Sequence, residues 1–139
     1  ISSSKHKRRI VQYYDSGAVR YINDLFGQKK EVYTFYREDD GSLDEIANYE
    51  NNKPEGKREM FYRSGKLKTV SYYSKGKIVS MEEFEENGAK VSETKVENGN
   101  GRWLGCSPDG GYCCDCLVVN GKLKNCKNLN PPKQVEKKR

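Results

Sequence analysis

The sequence lacks the long apolar segments that a membrane-spanning or deeply layered protein needs. Its longest run of aliphatic residues is Leu117–Val119, whereas a transmembrane helix requires about 20 apolar residues. Hydrophobic residues make up only 34% of the chain, charged residues make up 33%, and the mean hydropathy is −1.01. No segment sustains the 3.6-residue periodicity of an amphipathic helix. These absences argue against a helical bundle and against a doubly wound α/β domain.

A base for acid–base catalysis is also missing. His6 is the only histidine and lies in a charged tail, so Ser-His-Asp and Cys-His chemistry has no oriented base. The acidic residues on either side of Phe84 follow one strand beside a turn, which favours a solvated edge over a glycosidase carboxylate pair. The segment Gly99-Asn100-Gly101 is not followed by the Lys-Ser/Thr of a phosphate-binding loop. We therefore expect no enzymatic activity and no cofactor.

Aromatic and turn-forming residues, in contrast, recur in a regular pattern. An aromatic pair is followed by polar residues, a glycine, a variable residue and an aliphatic residue in four copies, which span residues 13–20, 35–44, 61–68 and 72–79. Glycines recur every 11 or 12 residues, at Gly65, Gly76, Gly88, Gly99, Gly110 and Gly121. Gly and Asn adopt positive φ in tight turns, and the flanking residues suit strands of about five residues. The pattern predicts an all-β fold, a single-layer antiparallel meander of repeated β-hairpins.

The repeat has a recognisable form. The half-repeat FYRSGKLK at residues 61–68, followed by YYSKGKIV at residues 72–79, resembles the MORN-repeat variant of small bacterial proteins. Some members of that family are antitoxin or immunity components. The resemblance covers residues 9–100 and implies hairpins that each pack only on their neighbours. The chain departs from the family pattern where Glu38-Asp39-Asp40 lengthens one turn, and in its cysteine-rich segment.

All five cysteines fall in one 21-residue window near the C-terminal end, namely Cys106, Cys113, Cys114, Cys116 and Cys126. This clustering indicates a local cross-link or a metal site. We favour disulfides that cap the open end of the repeat array, where the last hairpin has no neighbour to pack on. A zinc site is the alternative, although in the spacing C-x6-C-C-x-C-x9-C neither the adjacent Cys-Cys pair nor the Cys-x-Cys pair matches the usual knuckle. A Cys-x-x-Cys redox site is a weaker alternative, since no βαβ unit surrounds Cys113–Cys116.

The disulfide connectivity depends on the type of the Asn120-Gly121 turn. If this turn is type I with a G1 bulge at the glycine, Cys114 lies opposite Cys126. Cys106 then bonds to either Cys113 or Cys116. A two-residue turn would instead place Asp115 opposite Cys126 and remove the pairing. The spacing alone leaves both turns open.

The basic tails, the repeat and the cysteine window divide the chain into four predicted segments. These are a basic N-terminal tail (1–8), the MORN-variant-like hairpin repeats (9–100), the cysteine-rich terminal hairpins (101–128) and a basic C-terminal tail (129–139). The net charge is +6, and the two tails supply all of this excess. Because the body is close to neutral, nucleic-acid binding is disfavoured, whereas the tails could contact an anionic membrane surface.

Binding is the function that these features leave. Adjacent residues of a strand point to opposite faces, so each aromatic pair places one ring on each face of the sheet. We expect the partner-binding face to carry Tyr14, Tyr36, Tyr62, Tyr73 and Phe84. The predicted function is a non-catalytic protein-binding module, either immunity- or antitoxin-like or an envelope interaction protein. The alternative is a surface module that binds glycan or anionic membrane. Disulfides would place the protein in the cell envelope or secreted, and reduced cysteines would place it in the cytoplasm.

Overall fold

The computed structural model describes residues 6–107 and 112–129, with side chains from Arg8 onward. The described residues form eleven β-strands and contain no helix. The strands are β1 His6–Tyr13, β2 Val19–Phe26, β3 Lys30–Tyr36, β4 Leu43–Glu50, β5 Lys53–Phe61, β6 Leu67–Ser74, β7 Lys77–Glu83, β8 Lys95–Glu97, β9 Asn100–Cys106, β10 Cys113–Val119 and β11 Lys122–Asn128.

All eleven strands belong to one open sheet, in which strand order follows chain order from β1 to β11 and every neighbouring pair is antiparallel. The predicted fold class is therefore confirmed. Strand β1 begins at His6, inside the segment predicted as the N-terminal tail, and β11 ends at Asn128. The C-terminal tail lies outside the described residues except for Leu129. No helix in the described ranges is long and apolar enough to cross a membrane.

Two classes of turn alternate along the chain, one on each of the two sides of the sheet where the strands end. We call these two sides the tight-turn edge and the loop edge. At the tight-turn edge, consecutive strands are joined by two-residue turns in which both residues have positive φ, at Asn51-Asn52, Lys75-Gly76, Asn98-Gly99 and Asn120-Gly121. This is the type I′ geometry, whose twist matches that of paired strands. At the opposite, loop edge, longer loops carry one positive-φ glycine each, at Gly17, Gly41, Gly65 and Gly88. The 11-residue period is thus half of a structural repeat of two strands.

A β-bulge accompanies the aromatic pair in each of the four repeats. The register shifts lie between Gln12 and Tyr13, Phe35 and Tyr36, Met60 and Phe61, and Tyr72 and Tyr73. Each shift leaves one unpaired residue on the neighbouring strand, at Arg20, Asp44, Lys68 and Val79. Bulges bend a strand and redirect its side chains, so simple alternation does not decide which face the residues beside each bulge occupy.

One row of directly paired residues crosses the whole sheet and defines its inner face. The row is Ile10, Asn23, Tyr33, Ala47, Arg58, Ser71, Met81, Val96, Gly101, Val118 and Leu123. Val96 and Val118 are each only 1% exposed, and with Met81 and Ile78 they form the main hydrophobic cluster. Tyr73 and Trp103 pack against this cluster. The apolar core therefore lies on the inner face of the C-terminal half.

Two disulfides cross-link the C-terminal strands, Cys106–Cys113 and Cys116–Cys126. Cys113 is one of the two partners predicted for Cys106. The Cys114–Cys126 pairing, which a type I turn with a G1 bulge would give, is wrong, because Cys114 lies opposite Asn128 and carries a free thiol.

The turn explains this correction. Asn120-Gly121 is a two-residue turn that places Val119 opposite Lys122. A bulge then follows on β11, where Asn125 has a φ of 53°. The bulge shifts the register so that Asp115 lies opposite Lys127 and Cys126 bonds to Cys116.

Candidate functional site

Four of the five residues predicted to form the binding face lie at the loop edge. Tyr14, Tyr36, Tyr62 and Phe84 are all half-buried there. The Tyr14 hydroxyl donates to the Tyr36 carbonyl over 2.7 Å, and the Tyr62 hydroxyl donates to the Phe84 carbonyl over the same distance. The fifth residue, Tyr73, is half-buried against the hydrophobic cluster. The role of these five residues in partner binding stays a prediction.

Side chains at the loop edge tie each loop to the next. Arg37 donates to the Phe61 carbonyl over 2.6 Å, between the bonds made by Tyr14 and Tyr62. All three residues occupy the first position of their loops and reach a carbonyl 22 or 24 residues later. Because each hairpin of the meander contacts only its chain neighbours, these bonds supplement the ladder where the loops diverge.

The loop edge also holds an exposed ion cluster. Arg63 donates to Asp39 over 2.8 Å and to Asp40 over 2.9 Å. Hydrogen bonds from Ser42, followed by the Arg63 contact, hold the pKa of Asp40 well below its ordinary value. All of these acids are exposed, so the cluster orients a loop and contributes little stability.

Among the described residues, the largest ring cluster lies elsewhere, on the inner face of β2, β3 and β4. It consists of Tyr21, Tyr33, Phe35 and Tyr49, which we call the aromatic face. The centroid of the Tyr33 ring lies 5.5 Å from that of Tyr21, 5.6 Å from that of Phe35 and 5.5 Å from that of Tyr49. Tyr33 and Phe35 are nearly parallel, and Tyr49 meets Tyr33 at 77°. The four half-buried rings form one continuous patch.

A small cavity opens on this patch. It has a volume of about 260 Å³ and is lined by Glu31, Tyr33, Phe35, Tyr49 and Asn52. Glu31 lies directly opposite Tyr49 in the sheet, so its carboxylate stands beside the rings. Burial and the neighbouring Glu31 carboxylate raise the pKa of the Tyr33 hydroxyl above its ordinary value. Three aromatic walls and one acid therefore define the cavity.

A buried amide positions that acid. Asn23 is only 7% exposed and donates from Nδ2 to the Glu31 Oε1 over 3.1 Å. Asn23 Oδ1 is buried and has no hydrogen-bond partner in the described structure. No ion pair within the described ranges includes Glu31, although such pairs occur on the neighbouring strands, for example Arg58–Glu45. The carboxylate is thus fixed in place without a compensating cation.

The aromatic face was missed at the sequence level for a definite reason. The repeat is defined by adjacent aromatic pairs, and Tyr21 and Tyr49 stand outside those pairs. Alternation of Tyr33, Thr34 and Phe35 was the available signal, because residues two apart in a strand share a face. The cross-strand neighbours could not be found without the register.

A second polar cluster is enclosed near the cysteines. The Glu83 carboxylate accepts from Lys68 Nζ over 2.6 Å, from the Thr69 hydroxyl over 2.7 Å and from Trp103 Nε1 over 3.2 Å. The Cys114 thiol lies nearby, 4.0 Å from the sulfur of Cys116, and burial raises its pKa. Every member of the Glu83 cluster is engaged within the protein, which indicates a structural role. Among the described residues, no group of three or more His, Cys, Asp or Glu side chains is placed to hold a metal ion.

Comparisons with known proteins leave the family open. No protein-family model and no curated protein matches the chain. Among solved structures, TarM is similar, with 17% identity over 89% of this chain and a TM-score of 0.47. A mutant of S. aureus TarM in complex with fondaparinux, alpha-GlcNAc-glycerol and UDP matches 87% of the chain with 15% identity and a TM-score of 0.47. The chain spans about a fifth of the length of these structures, and a likeness this weak bears on no conclusion below.

Proposed function

We propose that the protein is a non-catalytic binding module that contacts a protein partner through the aromatic face. One observation carries this proposal. Four aromatic side chains meet on the inner face of β2–β4, and no second layer of described residues packs over them. A contiguous apolar patch left open on a sheet is typical of an interaction surface.

The composition of this surface favours a protein as the partner. Tyrosine, phenylalanine, methionine and arginine are the residues enriched in protein interfaces, and Tyr is prominent at hot spots. The inner face continues from the aromatic face to Met60 and Arg58 on β5. Arg58 is held by Glu45 over 2.6 Å, so its guanidinium is oriented before any partner arrives. Rings that are already packed on one another lose little side-chain entropy on binding.

The proposed setting is extracytoplasmic, either secreted or in the cell envelope. Two disulfides within one 21-residue window support this setting, because structural disulfides persist where the environment is oxidising. They cross-link β9, β10 and β11 at the end of the open sheet. Such cross-links stabilise a terminal hairpin that has little core of its own.

The resemblance of residues 61–68 and 72–79 to the MORN-repeat variant suggests a specific version of this function. In that version the partner is a toxin and the protein is an immunity or antitoxin component. Binding to glycan or to an anionic membrane is the competing class of function. Two treatments distinguish these ligands from a protein partner. A soluble neutral sugar would compete with a glycan ligand, and removal of the basic tails would abolish membrane binding. Neither treatment should affect a protein contact made by the aromatic face.

The test compares the amounts of partner protein that the immobilised wild-type chain and two matched double variants capture. The variant Tyr33→Ser/Phe35→Ser removes two rings of the aromatic face, and Tyr13→Ser/Tyr72→Ser removes two exposed rings outside it. Far-UV circular dichroism and thermal melting establish that both variants fold. We expect the amount of one protein captured by the wild-type chain to fall at least tenfold with the first variant and to be unchanged with the second. Equal retention by both variants would contradict the proposal.

A further inference from the structure

We propose that the cavity on the aromatic face takes an organic ammonium cation, held by the rings of Tyr33, Phe35 and Tyr49 and by the Glu31 carboxylate. The inference deepens the proposed function, since a lysine side chain of the protein partner is one source of such a cation. The chemistry itself follows from the walls of the cavity.

The charge of the lining selects the sign of the ligand. Glu31 is the only Asp, Glu, Lys or Arg among the five lining residues, and Asn52 supplies a neutral amide. No lysine or arginine lines the cavity, so an anion would meet a carboxylate without a counter-charge. A neutral ligand would bring no charge opposite to that of Glu31. A cation satisfies that charge.

The rings add a second attraction of the same sign. The faces of aromatic rings carry negative partial charge, and ammonium groups bind over them within about 6 Å of the centroid. Tyr33 and Tyr49 already touch edge to face, with centroids 5.5 Å apart and planes inclined at 77°, so the cation would lie over the ring surfaces that line the cavity and not between these two rings. Aromatic walls combined with a carboxylate are the arrangement that recognises alkylated ammonium groups.

The carboxylate is positioned before the ligand binds. The Nδ2 group of Asn23 holds Glu31 Oε1 over 3.1 Å, from a position that is nine-tenths buried. Asn23 contacts only Oε1 in this bond, and the Tyr33 hydroxyl also lies beside the carboxylate. A positioned acceptor avoids the entropic cost of ordering a glutamate side chain on binding. The Oδ1 atom of the same amide has no hydrogen-bond partner in the described structure.

The size of the cavity limits the ligand to a small group. A volume of about 260 Å³ is below the usual range for drug-sized ligands, which begins near about 300 Å³. It suits a trimethylammonium head or the terminal part of a lysine side chain. A folded nucleotide or an oligosaccharide would have to extend beyond the cavity over the surrounding sheet.

The test compares choline with 3,3-dimethylbutan-1-ol, which has nearly the same shape and no charge. The readout is the chemical shift of the Tyr33, Phe35 and Tyr49 ring protons during titration at constant ionic strength. We expect choline to bind about tenfold more tightly than the neutral alcohol. Equal shifts with both compounds, or no shift with either, would overturn the inference.

Three variants identify the groups responsible. Glu31→Gln keeps an oxygen that can accept from Asn23 and removes the charge, and Tyr33→Leu removes a ring and keeps an apolar side chain. Both should abolish the preference for choline. The control Glu50→Gln removes an exposed charge that does not line the cavity, and it should leave the preference unchanged. An unchanged preference in Glu31→Gln would refute the role of the carboxylate.

A further pair of probes distinguishes the sources of the cation. Nα-acetyl-lysine methylamide, which keeps its side-chain ammonium group, is titrated beside its neutral counterpart, Nα-acetyl-norleucine methylamide. Tighter binding of the lysine compound than of choline assigns the cavity to a partner's side chain, and the reverse order assigns it to a free quaternary ammonium compound. No partner is present in these titrations. Cation binding can therefore fail while partner capture still depends on the aromatic face, or the reverse.

Discussion

The indole N–H of Trp103 on β9 donates to the carboxylate of Glu83 on β7 over 3.2 Å. The two residues are 20 positions apart and are separated in the sheet by the short strand β8. Lys68, the unpaired residue of a bulge on β6, reaches the same carboxylate over 2.6 Å. A bulge near an aromatic pair thereby brings a lysine into a buried ion pair that connects three parts of the sheet.

Removal of the carboxylate in Glu83→Ala should destabilise the protein strongly. Lys68 is 3% exposed and would remain as a buried charge without a partner. Breaking such a pair costs about 3–5 kcal/mol. Urea denaturation followed by Trp103 fluorescence measures the free energy of unfolding. The matched control is Glu82→Ala, whose partner Lys90 is exposed, and it should change stability by less than about 1 kcal/mol. Similar losses in the two variants would show that the buried pair is unimportant.

The hydroxyl groups of Tyr14 and Tyr62 should contribute to stability separately from their rings. Tyr14→Phe and Tyr62→Phe each remove one hydrogen bond to a backbone carbonyl and keep the ring. Each should lower the free energy of unfolding by about 1 kcal/mol, and the two effects should add because the sites share no hydrogen-bond partner and are separated in the sheet by β3 and β4. Tyr13→Phe serves as the control, since Tyr13 is 58% exposed. A neutral result in both variants would refute the stabilising role of these bonds.

Gly101 should not tolerate a side chain. A Cβ atom at this position would overlap the Lys95 carbonyl oxygen and lie 2.8 Å from the Val96 Cα, both of which are backbone atoms. Gly101→Ala must therefore displace β8 or β9, at a cost of about 3 kcal/mol or more. Gly65→Ala is the comparison, because its φ is +91° and nothing lies within 4 Å of the added Cβ. Thermal melting should show a much larger loss for Gly101→Ala, and a larger loss for Gly65→Ala would contradict the strand pairing described above.

The thiol chemistry should show one slow cysteine and two disulfides. The intact mass should fall short of the reduced mass by about 4 Da, the mass of four hydrogens, because two disulfides form. Without reductant, only Cys114 should react with iodoacetamide. Since burial raises the pKa of Cys114, its thiolate fraction at pH 8 is smaller than that of an exposed cysteine, and its alkylation should be correspondingly slow. Peptide mapping that finds label on Cys126, or rapid alkylation at all five positions, would contradict this assignment.

The fold could be predicted from the sequence because its determinants are local. Asn-Gly and related pairs specify tight turns within four residues, and their regular spacing predicts a meander before any contact is known. The same locality explains the prediction of a cysteine-rich terminal hairpin around Asn120-Gly121.

The aromatic face and the disulfide pairing could not be obtained in this way, because both depend on register. The assignment of Tyr14, Tyr36, Tyr62, Tyr73 and Phe84 to one face assumed uninterrupted alternation. The bulges lie at the aromatic pairs themselves, and each bulge adds a residue on the neighbouring strand. The bulge on β11 likewise moves Cys126 from the residue expected by turn geometry to Cys116. A shift of one residue changes the face of every side chain beyond it.

The most direct test of the account is hydroxyl-radical footprinting of the protein with and without the partner that the wild-type chain captures. Oxidation of each aromatic side chain, quantified by mass spectrometry, reports the exposure of that side chain. We predict that Tyr33, Phe35 and Tyr49 are protected in the complex and that Tyr72 is unchanged. Protection of Tyr14, Tyr36 and Tyr62 at the loop edge, with the aromatic face oxidised as in the free protein, would contradict the account.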